Sequence, residues 1–471
     1  MNTVRKMLES IYYRSPSVIK NILVTLHQLY ASSKWKGKDY DDDLIFYRKN
    51  GKKIQQELEL IQLIQLRKLL EESLQFVDFY KQFYPLSKNY DFSSDEQLMA
   101  FYYQLPVIEK KTFRTELNKF VNNNPRRKTV FYNKTSGTTG SPMTSPFDKA
   151  SLIKSFSTWR RFYDFIGLPD RFKTIRFSGK IIVNPHAVTP PFWVEDYSNR
   201  RLFLSSYHLK AEYMMHYLEK INEYKPHMIE GYPSAIFIIA KYGQKNNFKL
   251  SFKPMAISTT AETLYEEQRE VIESFFGCKV YNQYASSEGS PLITECTCGH
   301  LHLNIDTGFF EFAHKGKDDS GWDIAEMTVT SFRNLKTPLI RYKIGDLVQL
   351  SADGPETGCN CGSNFPYIRG VIGREDDLLF TREKGMIGRM DTAYKGLEGI
   401  EKSQILQISE NEFVVKMVIN ADYNVVVKKK FDKNLRERLG NDITIKMETV
   451  EDIPLSSNGK FRAVVRLFKL N

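Results

Sequence analysis

The chain holds 471 residues, 41% hydrophobic and 26% charged, an ordinary globular balance that excludes a wholly disordered, collagenous or coiled-coil protein. Its 67 lysines and arginines outnumber 56 acids, and the net charge of +11 suits anionic partners: nucleic acid, an acidic membrane surface or phosphate-bearing small molecules. Five cysteines are too few for a small disulfide-framed secreted scaffold. No run approaches the ~20 apolar residues of a membrane span and no cleavage site follows the N-terminal apolar stretch, so a cytoplasmic protein is expected.

Residues 1–125 read mostly as helix. Over 17–30, Val18, Ile19, Ile22, Leu23 and Leu26 recur at helical spacing, with Lys6, Arg14, Lys20, Lys34 and Lys36 around them. Such a segment is either a helix packed on the body or a basic amphipathic helix touching a membrane surface. A longer helical run follows over 55–80, and Ser94 ahead of Asp95 opens another. From about 128 to 350, strand-like runs (174–177, 255–258, 279–282, 327–330) alternate with helical ones (150–166, 211–224, 234–242, 264–276). That alternation predicts an α/β fold with largely parallel strands. Near the end, 412–419 and 424–428 read as strands, 433–439 as a helix and 443–448 as a strand. A small α+β domain is therefore expected, with a boundary near Gly373.

The densest chemical signal is Thr135-Ser136-Gly137-Thr138-Thr139-Gly140, with four hydroxyls and two glycines in six residues. Glycine lets the backbone approach a ligand closely, so successive N–H groups can form an anion nest while the hydroxyls donate to phosphate oxygens. The loop lacks the Walker pattern, and alone it reads equally well as a polar turn. Asn282-Gln283-Tyr284-Ala285-Ser286-Ser287-Glu288 follows a predicted strand. It offers an aromatic face for a purine and a carboxylate for Mg²⁺, which takes hard oxygen ligands. Asp346 in Arg341-Tyr342-Lys343-Ile344-Gly345-Asp346 is the kind of acceptor a ribose diol needs. Gly373-Arg374-Glu375 falls at the expected boundary, and Lys460 sits on a glycine-bearing turn in Pro454-Leu455-Ser456-Ser457-Asn458-Gly459-Lys460. Each motif alone is weak; the ordered set is not.

Taken in order, these motifs resemble the core motifs of the adenylate-forming (AMP-binding) superfamily. The chain looks most like the phenylacetate-CoA ligase branch, especially its capsule-polysaccharide-biosynthesis members. Met143 stands where many relatives carry a lysine after the loop proline, and Glu230-Gly231-Tyr232-Pro233-Ser234 looks like the branch's own segment. The resemblance implies a large α/β domain over 1–372, with parallel sheets flanked by helices and a helical N-terminal region over 1–125. It also implies a small mobile α+β lid over 373–471. It implies an enzyme that makes an acyl-adenylate from a small carboxylic acid and ATP, then transfers the acyl group, usually to CoA. Alternative acceptors are a sugar amine or hydroxyl, or a carrier protein; a further alternative is a non-catalytic scaffold of a polysaccharide-assembly complex.

By motif matching, Thr135, Ser136, Gly137, Thr138, Thr139 and Gly140 would hold the phosphates and Tyr284 would stack on adenine. Asn282, Gln283 and Ser287 would flank the nucleotide, with Ala261 and Glu262 closing over it. Asp346 and Arg374 would bind the ribose side, and Glu288 would ligand Mg²⁺. Lys460 would stabilise charge developing at the α-phosphate. Tyr132 and Tyr232 are expected near the acid. His186 and His208 read either as edges of that pocket or as structural residues. No nucleic-acid module is present.

Two C-x-C pairs, Cys296/Cys298 and Cys359/Cys361, each precede a glycine. In a cytoplasmic chain, close cysteines suit a structural Zn²⁺ site; free thiols or a redox pair remain alternatives. His300 and His302 are substitute ligands, and His302 could instead line the active site. Cys278 is expected to be a buried core residue.

Overall fold

The computed structural model describes residues 11–83, 92, 94–134, 144–318, 321–374, 379–387, 390, 393, 397, 399–454 and 461–468. A nine-stranded sheet runs in the order Tyr367–Ile368, Leu301–Leu303, Ile293–Glu295, Val280–Tyr284, Ala256–Thr260, Met228–Gly231, Thr174–Ser178, Arg201–Ser205, Trp193–Asp196. Its central five strands, Val280–Tyr284 through Arg201–Ser205, are parallel, as the alternation predicts. Met228–Gly231 is buried at every position, which a parallel strand covered on both faces requires. Alternate residues feed opposite sides. Ile229, Ile257 and Val280 meet the helices Met214–Tyr224, Pro233–Lys245 and Glu266–Phe276. Met228, Ala256 and Tyr281 meet Phe162 of the helix Lys149–Phe165.

A second sheet runs Ile108–Glu109, Tyr342–Leu350, Asp323–Ser331, Gly308–Lys317, with Gly370–Arg374 also paired to Tyr342–Leu350. The N-terminal helices cover it. Leu66 and Leu70 of Gln55–Phe76, and Leu98 and Tyr102 of Asp95–Gln104, share a core with Met327, Val329 and Tyr342. Ser94 caps the second helix by accepting the Gln97 N–H, as its position ahead of two acids predicts. Among the described residues, no helix is long and apolar enough to cross a membrane.

Beyond residue 379, the strands Thr444–Thr449, Glu412–Ile419, Ile400–Gln407 and Val464–Arg466 form a separate four-stranded sheet. With the helix Val425–Leu439 they enclose their own core, including Phe413, Val415, Phe431 and Leu435. The chain is thus a large α/β domain followed by a smaller α+β domain. One expectation fails here: 424–428 is not a strand. Its three valines open the helix, because the Asn424 side chain accepts the Val426 and Val427 N–H groups, and an N-cap outweighs the strand preference of β-branched residues.

The helices Lys38–Asn50 and Lys149–Phe165 are tied to the segment between the sheets by one buried ion pair. Arg161 donates to Asp306 through Nη1 (2.5 Å) and Nη2 (3.1 Å), and to Asn304 Oδ1 at 2.7 Å. Asn50 Nδ2 donates to Asp306 Oδ2 at 3.0 Å, and both partners of the pair are buried. Asp306→Ala leaves the guanidinium without a counter-charge. Chemical denaturation should show a loss of roughly 3–5 kcal/mol; a loss under about 1 kcal/mol would contradict this role.

Candidate functional site

Ligands of open α/β sheets bind outside the carboxyl ends of the parallel strands, and the candidate residues gather there. Met228–Gly231 ends at Gly231, where a Cβ would lie 2.6 Å from Phe177, so only glycine lets these strands approach. Pro233 then starts the next helix at a position where its missing N–H costs nothing. Between them, Tyr232 Oη accepts the Gly179 N–H at 3.0 Å, while Tyr207 Oη donates to Gly179 O at 2.9 Å. Burial pushes the Tyr232 phenol above its ordinary pKa, so it stays protonated. From the neighbouring strand Ala256–Thr260, the chain enters a left-handed turn at Ala261 (φ +71°), a conformation unfavourable for any residue with a Cβ. That turn presents Glu262, whose Oε2 accepts the Ser234 N–H at 3.3 Å and whose Oε1 accepts the Phe461 N–H at 3.0 Å. Phe461 belongs to the small domain. A cavity of about 390 Å³ opens beside this contact, lined by Tyr207, Tyr232 and Ile238 on one side and Leu397, Ile400 and Ala463 on the other.

The strand Val280–Tyr284 delivers the next group. Asn282 Oδ1 accepts from the Gln283 N–H (3.0 Å) and from Thr259 Oγ1 (3.3 Å), which locks the strand to its neighbour. Tyr284 Oη donates to Asp346 Oδ2 at 2.5 Å. Tyr284 lies on the first sheet and Asp346 on the second, so this bond joins them; Asp346 pairs in register with Arg374. The turn that follows is tightly fixed. Gly289 has φ +93° and its missing Cβ would lie 2.9 Å from Asn334. Asn334 Nδ2 donates to Glu288 O at 3.2 Å. Asn133 Nδ2 donates to Ser287 O at 2.9 Å, which holds the hairpin Thr129–Lys134/Thr144–Asp148 against the turn. Glu288 is buried, and its Oε1 has no hydrogen-bond partner. Lys110 Nζ stands 3.3 Å from that oxygen without making a hydrogen bond to it. The two form an ion pair, so the buried carboxylate already faces a positive charge, a setting that would also suit a hard cation.

Thr135, Ser136, Gly137, Thr138, Thr139, Gly140, Lys460 and the side chain of Arg374 lie outside the described residues. The described candidates Ala261, Glu262, Asn282, Gln283, Tyr284, Ser287, Glu288 and Asp346 all fall around the carboxyl ends of two adjacent parallel strands. Sequence reasoning missed Lys110 and Asn334, which no motif marks. His208 is structural: Ser205 Oγ lies 2.8 Å from its Nδ1, and its ring stacks on Phe192. His186 is exposed. Cys278 is half-buried at the rim of a core cluster rather than fully enclosed.

The cysteine pairs meet, with one substitution. Cys296, His302, Cys359 and Cys361 bring four ligand atoms within 4.8 Å of one another, whereas Cys298 is exposed. Cys298 instead donates its backbone N–H to Cys296 Sγ (3.4 Å), and the Gly299 N–H closes a turn onto Cys296 O. The turn that aims this amide at the sulfur carries the Cys298 side chain outward. Zn–S bonds of ~2.3 Å in a tetrahedron set sulfurs about 3.8 Å apart; Cys296 and Cys359 Sγ are 3.7 Å apart. His302 Nδ1 is engaged by Phe365 O at 2.7 Å, leaving Nε2 facing Cys361 Sγ at 3.3 Å. Burial lowers the His302 pKa and favours the neutral imidazole a metal requires. His300 borders the cluster, with Nδ1 3.2 Å from Cys359 Sγ. Ile293 pairs with Tyr284, and Cys296 lies three residues further along the antiparallel strand. The cluster is therefore roughly 10 Å back from the strand's carboxyl end, away from the ligand cleft.

Comparisons with known proteins bear on the family and the fold. Residues 379–467 match the family model described as the CapK C-terminal domain. Protein CapK of Staphylococcus aureus is 32% identical over 469 residues, covering 98% of this chain and all of that one. The phenylacetate-coenzyme A ligase of Thermus thermophilus is 22% identical over 285 residues, covering 53% of this chain and 62% of that one. A crystal structure of 2-hydroxyisobutyryl-CoA ligase with 2-HIB-AMP, in the postadenylation state, superposes with a TM-score of 0.65, 15% identity and coverage of 88% and 91%. At that identity the likeness is one of fold.

The Glu262–Phe461 contact is testable on the free protein. A hydrogen bond to a charged acceptor contributes about 1.5–3 kcal/mol, so Glu262→Ala should cut exchange protection of the Phe461 amide roughly ten- to hundredfold. Unchanged protection by amide hydrogen exchange would show that the small domain docks by other means.

Proposed function

The chain belongs to the CapK family, within the adenylate-forming superfamily, and on that footing we propose that it activates a carboxylic acid with ATP and passes the acyl group to coenzyme A in surface-polysaccharide biosynthesis. The observation that carries this reading is the joining of Tyr284 to Asp346, with the buried Glu288 carboxylate on the turn that follows Tyr284, at the carboxyl ends of the parallel strands. There the nucleotide would lie with adenine against Tyr284, its ribose hydroxyls at Asp346 and Arg374, and its phosphates along 135–140. Glu288 would hold Mg²⁺, which neutralises phosphate charge. The acid's carboxylate oxygen attacks the α-phosphate; the α–β bridging bond breaks, pyrophosphate leaves and an acyl-adenylate remains. The thiol of CoA then attacks the acyl carbon and AMP departs. Lys460 would neutralise charge developing at the α-phosphate in the first step. The cavity between Tyr232 and Ile400 supports entry of acid or acceptor at the seam between the domains. Cys296, His302, Cys359 and Cys361 would hold one structural Zn²⁺.

Two measurements test the reading. Pyrophosphate release over a panel of carboxylic acids, with and without CoA, should reveal an acid that turns over and a thioester product. Lys460→Ala should lose at least about a hundredfold in adenylation while still binding ATP; full pyrophosphate release by that variant would refute the role. For the metal, purified protein should carry about one zinc per chain. Cys359→Ser should lose the zinc and Cys298→Ser keep it; equal retention in both would overturn the ligand set.

A further inference from the structure

The helix Ser17–Ser33 is inside out. A helix on a protein surface ordinarily turns its apolar stripe to the core. Here the polar residues face the body. Asn21 Oδ1 accepts the Glu195 N–H at 2.9 Å, Asn21 Nδ2 donates to Tyr197 Oη at 3.1 Å, and Thr25 Oγ1 accepts the Tyr197 N–H at 3.1 Å. Ser32 is the helix's buried residue. These bonds satisfy backbone donors at Trp193–Asp196, the edge strand of the large sheet, and just beyond it. They also fix the helix's rotation. The apolar residues are therefore forced outward: Val18, Ile22, Leu26, Leu29 and Tyr30 are 64, 49, 57, 51 and 65% exposed. At 100° per residue these five span about 120° of the helix, one continuous stripe. Both ends are pinned. Tyr12 Oη donates to Ile182 O at 2.9 Å, Lys34 Nζ donates to Val130 O at 3.0 Å, and Trp35 stacks on Phe156.

Such a patch on a soluble surface marks a contact, and the charge around it indicates with what. From Ile11 to Lys38 there are five basic residues, Arg14, Lys20, Lys34, Lys36 and Lys38, and no acidic one. A second copy of this chain meeting the same face about a two-fold axis would bring two such basic segments together. An anionic bilayer opposes them with negative charge and takes an apolar stripe into its headgroup boundary. We propose that this outward-facing helix docks the enzyme on an anionic lipid surface, lying in the membrane plane without crossing it. The charge surplus then has a use besides nucleotide phosphates.

The test is sedimentation of the full chain with lipid vesicles. It should pellet with phosphatidylcholine vesicles containing about a third phosphatidylglycerol, not with pure phosphatidylcholine, and binding should fall in salt as surface electrostatics are screened. Ile22→Asp with Leu26→Asp alters exposed positions only, so the thermal midpoint should stay within about 2 °C, while vesicle binding falls at least about tenfold. Arg14→Glu with Lys36→Glu should weaken binding to anionic vesicles and leave the apolar stripe intact. No binding to anionic vesicles, or unchanged binding in the aspartate pair, overturns the proposal. So does a dimer in sedimentation velocity that the aspartate pair turns to monomer, because a second copy then covers the stripe.

Discussion

The buried pair of Arg161 and Asp306 is the interaction on which the site geometry rests. Asp306 lies in the short crossing that takes the chain from the first sheet at Leu301–Leu303 to the second at Gly308–Lys317. Removing both charges from water is costly unless nearly every polar atom is satisfied, and here Asn50, Asn304 and the Tyr47 carbonyl complete the set. The same crossing is gripped by Gln65, which donates to Asp306 O, and by Gln62, which donates to Gly308 O. The N-terminal helices thus hold the angle between the two sheets. Tyr284 and Asp346 stand on opposite sheets, so their 2.5 Å bond exists only while that angle is kept. The helices Lys38–Asn50 and Gln55–Phe76 carry none of the motifs, yet they hold the crossing between the sheets on which the motifs stand.

Periodicity exposed most of the large domain, because parallel strands buried on both faces and helices lying over them leave strong, distinct patterns. It failed where a local hydrogen bond outranked side-chain preference, as at Asn424 ahead of three valines. Motif spacing brought together the residues around 261–262 and 282–288, which sit at strand ends that the topology gathers, and Asp346, which reaches them from the middle of Tyr342–Leu350. Lys110 and Asn334 escaped notice because their roles come from tertiary approach: one meets Glu288 across more than 170 positions of sequence, the other holds its carbonyl. Spacing alone could not separate Cys298 from His302 either. The choice depends on a turn that spends the Cys298 amide on a sulfur and on strand pairing that sets His302 opposite Tyr367.

The thiol–imidazole cluster and the ligand cleft divide one strand pair between them. Antiparallel pairing sends Ile293–Glu295 back from Tyr284 toward Cys296, and Cys359 and Cys361 approach from the loop before Tyr367–Ile368, the sheet's edge strand. Burial first, and neighbouring thiols after it, raise the thiol pKa of Cys296, Cys359 and Cys361, and a bound cation would favour their deprotonated form. A bound cation would staple the edge strand Tyr367–Ile368 to Leu301–Leu303 and Ile293–Glu295, the last of which pairs with the strand that carries Asn282, Gln283 and Tyr284.

Glu262 has the opposite character. Its turn begins at Ala261 with a backbone conformation that a Cβ disfavours, and its two oxygens reach a large-domain helix start and the small-domain segment just ahead of Val464–Arg466. One hydrogen bond to Phe461 is weak enough to break and strong enough to bias a docked domain. The cavity alongside is walled by both domains, so any motion that breaks this bond also remodels the cavity.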